Sequence, residues 1–599
     1  MHKRVYSLET EYALTHHIAG GAGTVQPFTT ERLYAQLRDW LLAPTDLGQR
    51  PYAICDPTLV RGSTTRSSLV EVDEGFFIPS GARFYQDTGL FEWAAPESSS
   101  PKQALIYDLA ADYDLAGATQ HVSAQLNGGR VLIVKNNINY STNASYGCHE
   151  NYSIQARLMA PGRARDQTIS RLVPFLITRQ IMCGAGRIGT QLDVDQPPFF
   201  QLSQRSDLIT VEASVDTRSH RPIVNTRDEP LSDPRSTARL HLILGDSNMA
   251  QVASLLKLGT TGLVLDMLEA DAAFPEIQIV NPVRALHAVA HDLNFKTRLL
   301  LRGQAQASAT ALEIQWAYWR AASNFTAQYY PNDPDAHELL ALWQRVLDAI
   351  ERHTPALPTL LDWAIKAEIL AEGLSYLDMT WEEMEQWQPV LARTASLAKA
   401  PAQAPWGAWF QNQLDRDQWQ RVDELRQRAH LDWAHYGKAR AAVLKLTALD
   451  LRYHEIDRAN GLFYRLPDVE SIIHDPAPVQ RARQKAPSGT RAHVRSQAIH
   501  GAQARGKRLH MDWHHIRGDD PRIDLALLDP LDSDESSLKS YFRIIAHPHH
   551  RRTMMILKSK FLTQNLWNKQ PGGQHGAIDQ PRHARKLRAG ERQTQLYIQ

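Results

Sequence analysis

Two short stretches constrain this chain more than any other: residues 4–12, RVYSLETEY, and residues 81–97, GARFYQDTGLFEWAAPE. If both are strands, side chains two apart share a face, which groups Glu9 with Glu11 on the first and Arg83, Tyr85 and Asp87 on the second. Two readings of that alternation stand side by side. It can mark the solvent face of an edge strand, or the floor of a site where acids and a cation converge. The second carries a chemistry, because Mg²⁺ takes hard oxygen ligands and the phosphates of a nucleotide triphosphate need a fixed positive fork.

The chain has 599 residues, enough for several core units, and its 43% hydrophobic and 22% charged residues are those of an ordinary globular protein. A formal net charge of +1 gives no general attraction to nucleic acid or to an anionic membrane. Cys55, Cys148 and Cys183 are too few and too scattered for a disulfide framework, which points to a reducing compartment. The opening MHKRVYSLETEY has acids where a signal peptide needs an apolar core, and no apolar run reaches membrane-spanning length. The expected location is the cytoplasm.

Along the chain, residues 29–42 carry a helical period, and residues 45–79 carry none. The latter reads as a long loop directly before the strand with Asp87, and loops of that length are lids, binding loops or disordered inserts. Helices are expected at 102–126, 172–181 and 250–270, and strands at 130–134, 240–244 and 508–517. Residues 135–154 are dense in amides. His149 and Asn151 share a face there if the segment is extended, and His149 is either a satisfied structural residue or a ligand. Arg227, flanked by acids, is either a surface ion pair or a phosphate clamp.

From about residue 305 to 450 the chain is strongly helical and rich in tryptophan, a pattern that reads as core or interface. Residues 476–497 read as a basic linker, and the segment beyond 545 as a basic, disordered tail that either binds an acidic partner or is merely solvated. There is no Walker lysine motif, Rossmann glycine fingerprint, paired CxxC, HExxH helix or GxSxG elbow. A nucleotide site in this chain must therefore be built from sheet side chains.

A set of ordered motifs carries more information than any of these signals. ETEY at 9–12, SGARFYQD at 80–87, KNN at 135–137, SYGCHENY at 145–152, PFLITRQIMCGAG at 174–186 and LSQRSD at 202–207 are followed by RPIVNTRDEP at 221–230, LILGDSNM at 242–249, LKLGTTGLVLDMLE at 256–269 and MDWHHI at 511–516. Together they resemble the Pup ligase and Pup deamidase/depupylase family, collinearly over most of residues 1–545. The resemblance implies an α+β, glutamine synthetase-like fold: a large domain, residues 1–480, in which a curved antiparallel sheet backed by helices cradles ATP and Mg²⁺, and a small C-terminal domain, residues 481–545. The loop at 43–80, a helical insertion at about 382–433 and the tail at 546–599 are additions to that plan.

By matching motif position, the resemblance implies Glu9, Tyr85 and Glu92 as Mg²⁺ ligands with Glu11 beside them, Arg83 on ATP, and Trp513 closing on the nucleotide. It implies Asp87 as the catalytic carboxylate, and Arg227 and His149 around the transferring phosphoryl group. The expected partners are Pup or a Pup-like modifier and lysine-bearing proteins, with no membrane, and with nucleic acid only through the basic tail. The family's HPEY is Leu90-Phe91-Glu92-Trp93 here, so the glutamate is kept while its neighbours differ. Loop length, FQLSQRSD and LKLGTT lean toward the deamidase. ETEY, GCHENY, CGAG, TRSHRPIVNTRDEP and GDSNM lean toward the ligase, which is the preferred expectation.

Overall fold

The computed structural model describes residues 3–542 except 19–29, 43, 46–47, 50–51, 56–74, 88–89, 127–128, 141–143, 190–197, 218–219, 228, 230, 304–306, 395–403, 519–523 and 540–541. One thirteen-stranded sheet organises the fold. In chain order its strands are β1 (Tyr6–Ile18), β2 (Ala53–Cys55), β3 (Phe76–Phe77), β4 (Arg83–Asp87), β5 (Leu90–Ala94), β6 (Gly129–Val134), β7 (Cys148–Gln155), β8 (Val211–Ser214), β9 (Pro222–Asn225), β10 (Thr237–Leu242), β11 (Leu509–Met511), β12 (His515–Gly518) and β13 (Asp524–Ala526). Their spatial order is β8-β9-β10-β7-β1-β5-β4-β3-β2-β11-β12-β13, and β6 pairs with the second half of β1. All pairs are antiparallel except β8 with β9 and β2 with β11.

The two faces of the sheet follow from the alternation in the sequence. Tyr6, Leu8 and Tyr12 of β1, Phe84 of β4 and Phe91 and Trp93 of β5 are all buried, and they occupy the face opposite Glu9, Glu11, Arg83 and Tyr85. That apolar face packs on α1 (Pro101–Ala124), to which the Tyr12 hydroxyl donates at Asp112, 2.8 Å. Ser100 caps α1 by accepting from the Gln103 amide, and Pro101 sits where a missing N–H costs nothing. Beside it lies α2 (Gln251–Glu269), buried on nearly all sides, which is why its apolar residues form no single stripe.

The helical region bears out the tryptophan reading. Trp343, Trp363, Trp387 and Trp406 are buried, and Trp406, Phe410, Trp433 and Tyr436 pack ring against ring. The Pro-rich run at 401–409, which reads as a joint between helical hairpins, enters a helix at Trp406–Gln413, and its first residues, 401–403, lie outside the described residues. Among the described residues no helix is long and apolar enough to cross a membrane.

Three local expectations are revised. Within the span read as one loop, Ala53–Cys55 and Phe76–Phe77 pair and carry the sheet outward from β4, while 56–74 lies outside the described residues. The span read as a basic linker holds a short helix, Ala477–Ala482, and the start of α3 (Arg491–Gln503), because Arg491 and Arg495 are neutralised by a buried carboxylate, Glu97. The strand expected at 508–517 is a hairpin, β11 and β12, with Trp513 in its turn. The tail at 546–599 lies outside the described residues.

Candidate active site

Three neighbouring strands bring the acids together. Across the β1, β5 and β4 ladders Glu11 stands opposite Glu92, and Glu92 opposite Tyr85, so one transverse row holds two carboxylates and a phenol. In the next row Glu9 stands opposite Ala94 and Ala94 opposite Arg83, while on its other side Glu9 faces His149 of β7. Arg83 lies over the Tyr85 ring, 4.0 Å from its centroid, and Tyr85 stands cross-strand from Glu92. Asp87, half-buried, ends β4 on the same face.

On the other side of β1 the sheet presents cations. Glu9 accepts from Arg239 Nη2 at 2.8 Å and lies 3.5 Å from His149 Nδ1 and 3.7 Å from His241 Nε2. Arg239 also donates to Asn151 Oδ1 at 2.7 Å, and the Asn225 amide sits 3.2 Å from His241 Nδ1. The two imidazoles meet edge to face at 5.2 Å.

Electrostatics separates the two sides. Burial alone raises the Glu9 carboxyl, but Arg239, with a hydrogen bond from His149 beside it, outweighs it and holds Glu9 well below the usual carboxylate range. Glu92 moves the other way: burial, then the Glu9 and Glu11 charges, drive its carboxyl well above that range. Burial and the neighbouring Arg239 push His241 far down, so its ring is neutral at pH 7.

These residues fit divalent cations. Glu92 is crowded by carboxylates that a dication would neutralise, and carboxylate oxygens with a tyrosine hydroxyl form a hard donor set. Donor atoms of Glu9, His149 and His241 lie within 4.8 Å of one another, close enough to share one ion.

The backbone adapts to this crowding. The Gly147 amide donates to Glu11 at 2.6 Å, and a Cβ on Gly147 would fall 2.6 Å from His149 Nε2, so glycine is the residue that fits between the two side chains. Trp513 sets its ring edge-on to Phe77 at 5.2 Å. Together with Ser7, Glu9, Asn151 and Arg239 it lines a cleft.

The structure therefore gathers Glu9, Glu11, Arg83, Tyr85, Asp87, Glu92 and His149 on one face and puts Trp513 on the same cleft as Glu9. Arg227 stands apart at the rim after β9, with its guanidinium 42% exposed and 3.9 Å from Glu229. Arg239 and His241 are the residues that reading the sequence missed. The strand holding them was read as starting at 240 and purely apolar. The alternation in TARLHL, Thr237–Leu242, is the signal that would have found both.

A sheet face that collects carboxylates, a phenol, imidazoles and a guanidinium, beside a cleft lined by tryptophan, has the donor groups to hold divalent cations and a polyanion. The family model described as "Pup-ligase protein" matches residues 4–391 and 384–517, and the chain belongs to that family. The chain is 30% identical over 529 residues to the Pup-protein ligase of Actinosynnema mirum, covering 87% of this chain and 94% of the relative. It is 32% identical over 448 residues to the depupylase of Acidothermus cellulolyticus, covering 74% and 75%. Among solved structures, the complex of Pup with its ligase PafA superposes with a TM-score of 0.66 at 25% identity, covering 96% of this chain and 99% of that one. The PafA complex with ADP gives 0.62 at 26% identity, covering 88% and 97%.

Proposed function

We propose that this protein is an ATP- and Mg²⁺-dependent ligase that forms an isopeptide bond between the C-terminal glutamate of Pup, or a Pup-like modifier, and protein lysines. The observation that carries the reading is the division of one sheet face into an acid-rich side, Glu11, Glu92, Tyr85 and Asp87, and a side where the Arg239 guanidinium and the His149 imidazole surround Glu9. Mg²⁺, when bound, neutralises the phosphate oxygens that would otherwise be repelled by the carboxylates. Glu9, Tyr85 and Glu92 hold it, with Glu11 beside them. Arg83 and Trp513 position the nucleotide, and His149 and Arg227 steady the phosphoryl oxygens from the floor and the rim. Asp87 removes a proton from the incoming lysine, whose ammonium form has no lone pair with which to attack. Extended coverage of the ligase relatives supports ligation, and the reaction belongs in the cytoplasm.

The second reading is hydrolysis of the terminal glutamine or of the isopeptide itself in the same cradle, favoured by the likeness to a depupylase and by the long segment before Asp87. Incubating the protein with modifiers ending in Glu or Gln, a lysine-bearing protein, ATP and Mg²⁺ separates the two. Conjugates formed from the Glu form are the expected result. Glutamine loss without conjugation would replace ligase by hydrolase.

A further inference from the structure

The cleft beside Glu9 is also lined by a carboxylate and an arginine with no part in the chemistry above. Glu97 lies just beyond β5, is buried, and lines that cleft together with Arg491 and Trp513. Arg491 and Arg495, four residues apart on α3 and so on one helix face, both bond its carboxylate. Arg491 Nε donates at 2.8 Å, and Arg495 reaches both oxygens, through Nη1 at 3.0 Å and through Nη2. The Thr490 hydroxyl donates to the Glu97 carbonyl at 2.7 Å, so the start of α3 is pinned to side chain and backbone alike.

Arg495 passes this anchorage to the tryptophan. Its Nη1 donates to the Trp513 carbonyl at 2.7 Å, and its guanidinium carbon stands 5.1 Å from the Trp513 ring centroid, a cation-π contact. The other side of the joint is equally tight. A Cβ on Gly81, whose φ of +83° already favours glycine, would lie 2.9 Å from Ala492 Cβ, so α3 sits directly on the turn that leads into Arg83. Trp513 occupies the tip of a hairpin turn, between Asp512 and His515, where its own strand pairing does little to orient the ring.

We infer that Glu97 is a positioning residue for nucleotide affinity: through Arg495 it fixes the Trp513 ring at the mouth of the cleft in the orientation that stacks on a nucleobase. The inference rests on the nucleotide reading given above and adds residues of this chain that set its strength. Each link is direct: one buried carboxylate, one buried guanidinium bonded to it at two points, and one tryptophan whose backbone carbonyl accepts from that guanidinium and whose ring faces it. Base-aromatic stacking contributes about 1–3 kcal/mol, about 5- to 150-fold in affinity. A ring free to rotate away loses most of that, while the phosphate-binding side chains around Glu9 are left in place.

The test measures Mg-ADP affinity by calorimetry, and ATP KM and kcat for conjugation, on the full chain as wild type, Glu97→Gln, Trp513→Ala and the double variant. Glu97→Gln and Trp513→Ala should each weaken ADP binding about tenfold and raise the ATP KM in step, with kcat at saturating ATP changed less than about threefold. In the Trp513→Ala background, Glu97→Gln should cost almost nothing further, since it acts through the ring. Arg495→Lys, which keeps the charge but loses the planar fork, should fall in between and serves if Glu97→Gln does not fold. Leu446→Ala, a core truncation in the helical region, controls for stability alone and should leave the ATP KM unchanged. Additive losses in the double variant, or wild-type ADP affinity in both Glu97→Gln and Arg495→Lys, would overturn the inference. A wild-type chain that fails to bind ADP at all would instead remove the nucleotide reading, and this inference with it.

Discussion

The two sides of the cradle use the same residue type to opposite ends. On the β7 and β10 side, Glu9 is one carboxylate among an arginine and two histidines, and its proton affinity falls. On the β5 and β4 side, Glu92 is one carboxylate among three others, and its proton affinity rises. Both glutamates stand on adjacent antiparallel strands, Glu92 buried and Glu9 half-buried, and their neighbours push them in opposite directions. A site with one overcompensated and one undercompensated side accepts an anion and cations together, which is what phosphoryl transfer demands.

The contrast can be broken from either side. Replacing Asp87 by Asn should have the largest effect, about 10²–10⁴-fold lower conjugation with ADP affinity kept, because the base is lost and the cradle is not. A steady-state assay paired with calorimetry decides it, and parallel loss of nucleotide binding would show that Asp87 belongs to the cation set instead. Arg239→Met should come next. It strands Glu9 beside neutral imidazole, lowering stability by about 2–4 kcal/mol and raising the Glu9 carboxyl toward its usual range. Denaturant melts, and NMR titration of a labelled Glu9, would read both.

Glu97 offers a compensated carboxylate outside the cradle. Burial raises it, yet Arg495 and Arg491 bring it down from 4.5 to about 2. Its folded value lies below its unfolded one, so the stabilisation is complete above about pH 4.5 and disappears as pH falls through about 2. Linkage at roughly 1.36 kcal/mol per unit makes this about 3 kcal/mol at pH 7. Glu97→Gln should lose that amount at neutral pH, and the gap to wild type should close on acidification; a gap that widens would refute the assignment. The smallest effect should be Glu92→Gln, which removes a crowded charge. It should raise the melting temperature in chelator by about one degree, about 1 kcal/mol, while blunting the stabilisation by added Mg²⁺.

Much of the cradle was legible before any coordinates. Strand alternation grouped Glu9 with Glu11 and Arg83 with Tyr85 and Asp87, and the ordered motifs supplied Glu92, His149 and Trp513. Arg239 and His241 were not found, since the stretch around them looks apolar until its register is known. Arg227, which the sequence leaves as either a surface ion pair or a phosphate clamp, stands at the rim, where solvent reaches its guanidinium.

Period-two alternation is a local property, and it alone dictated which side chains leave each strand on the same face. Which strands then become neighbours is decided by burial of the opposite face on α1 and α2, a contest among segments hundreds of residues apart. That contest set Glu9 between His149 and Arg239 rather than beside another acid. It likewise turned a basic stretch that reads as linker into a helix gripping Glu97, because two arginines can be buried only where the fold delivers a carboxylate to meet them.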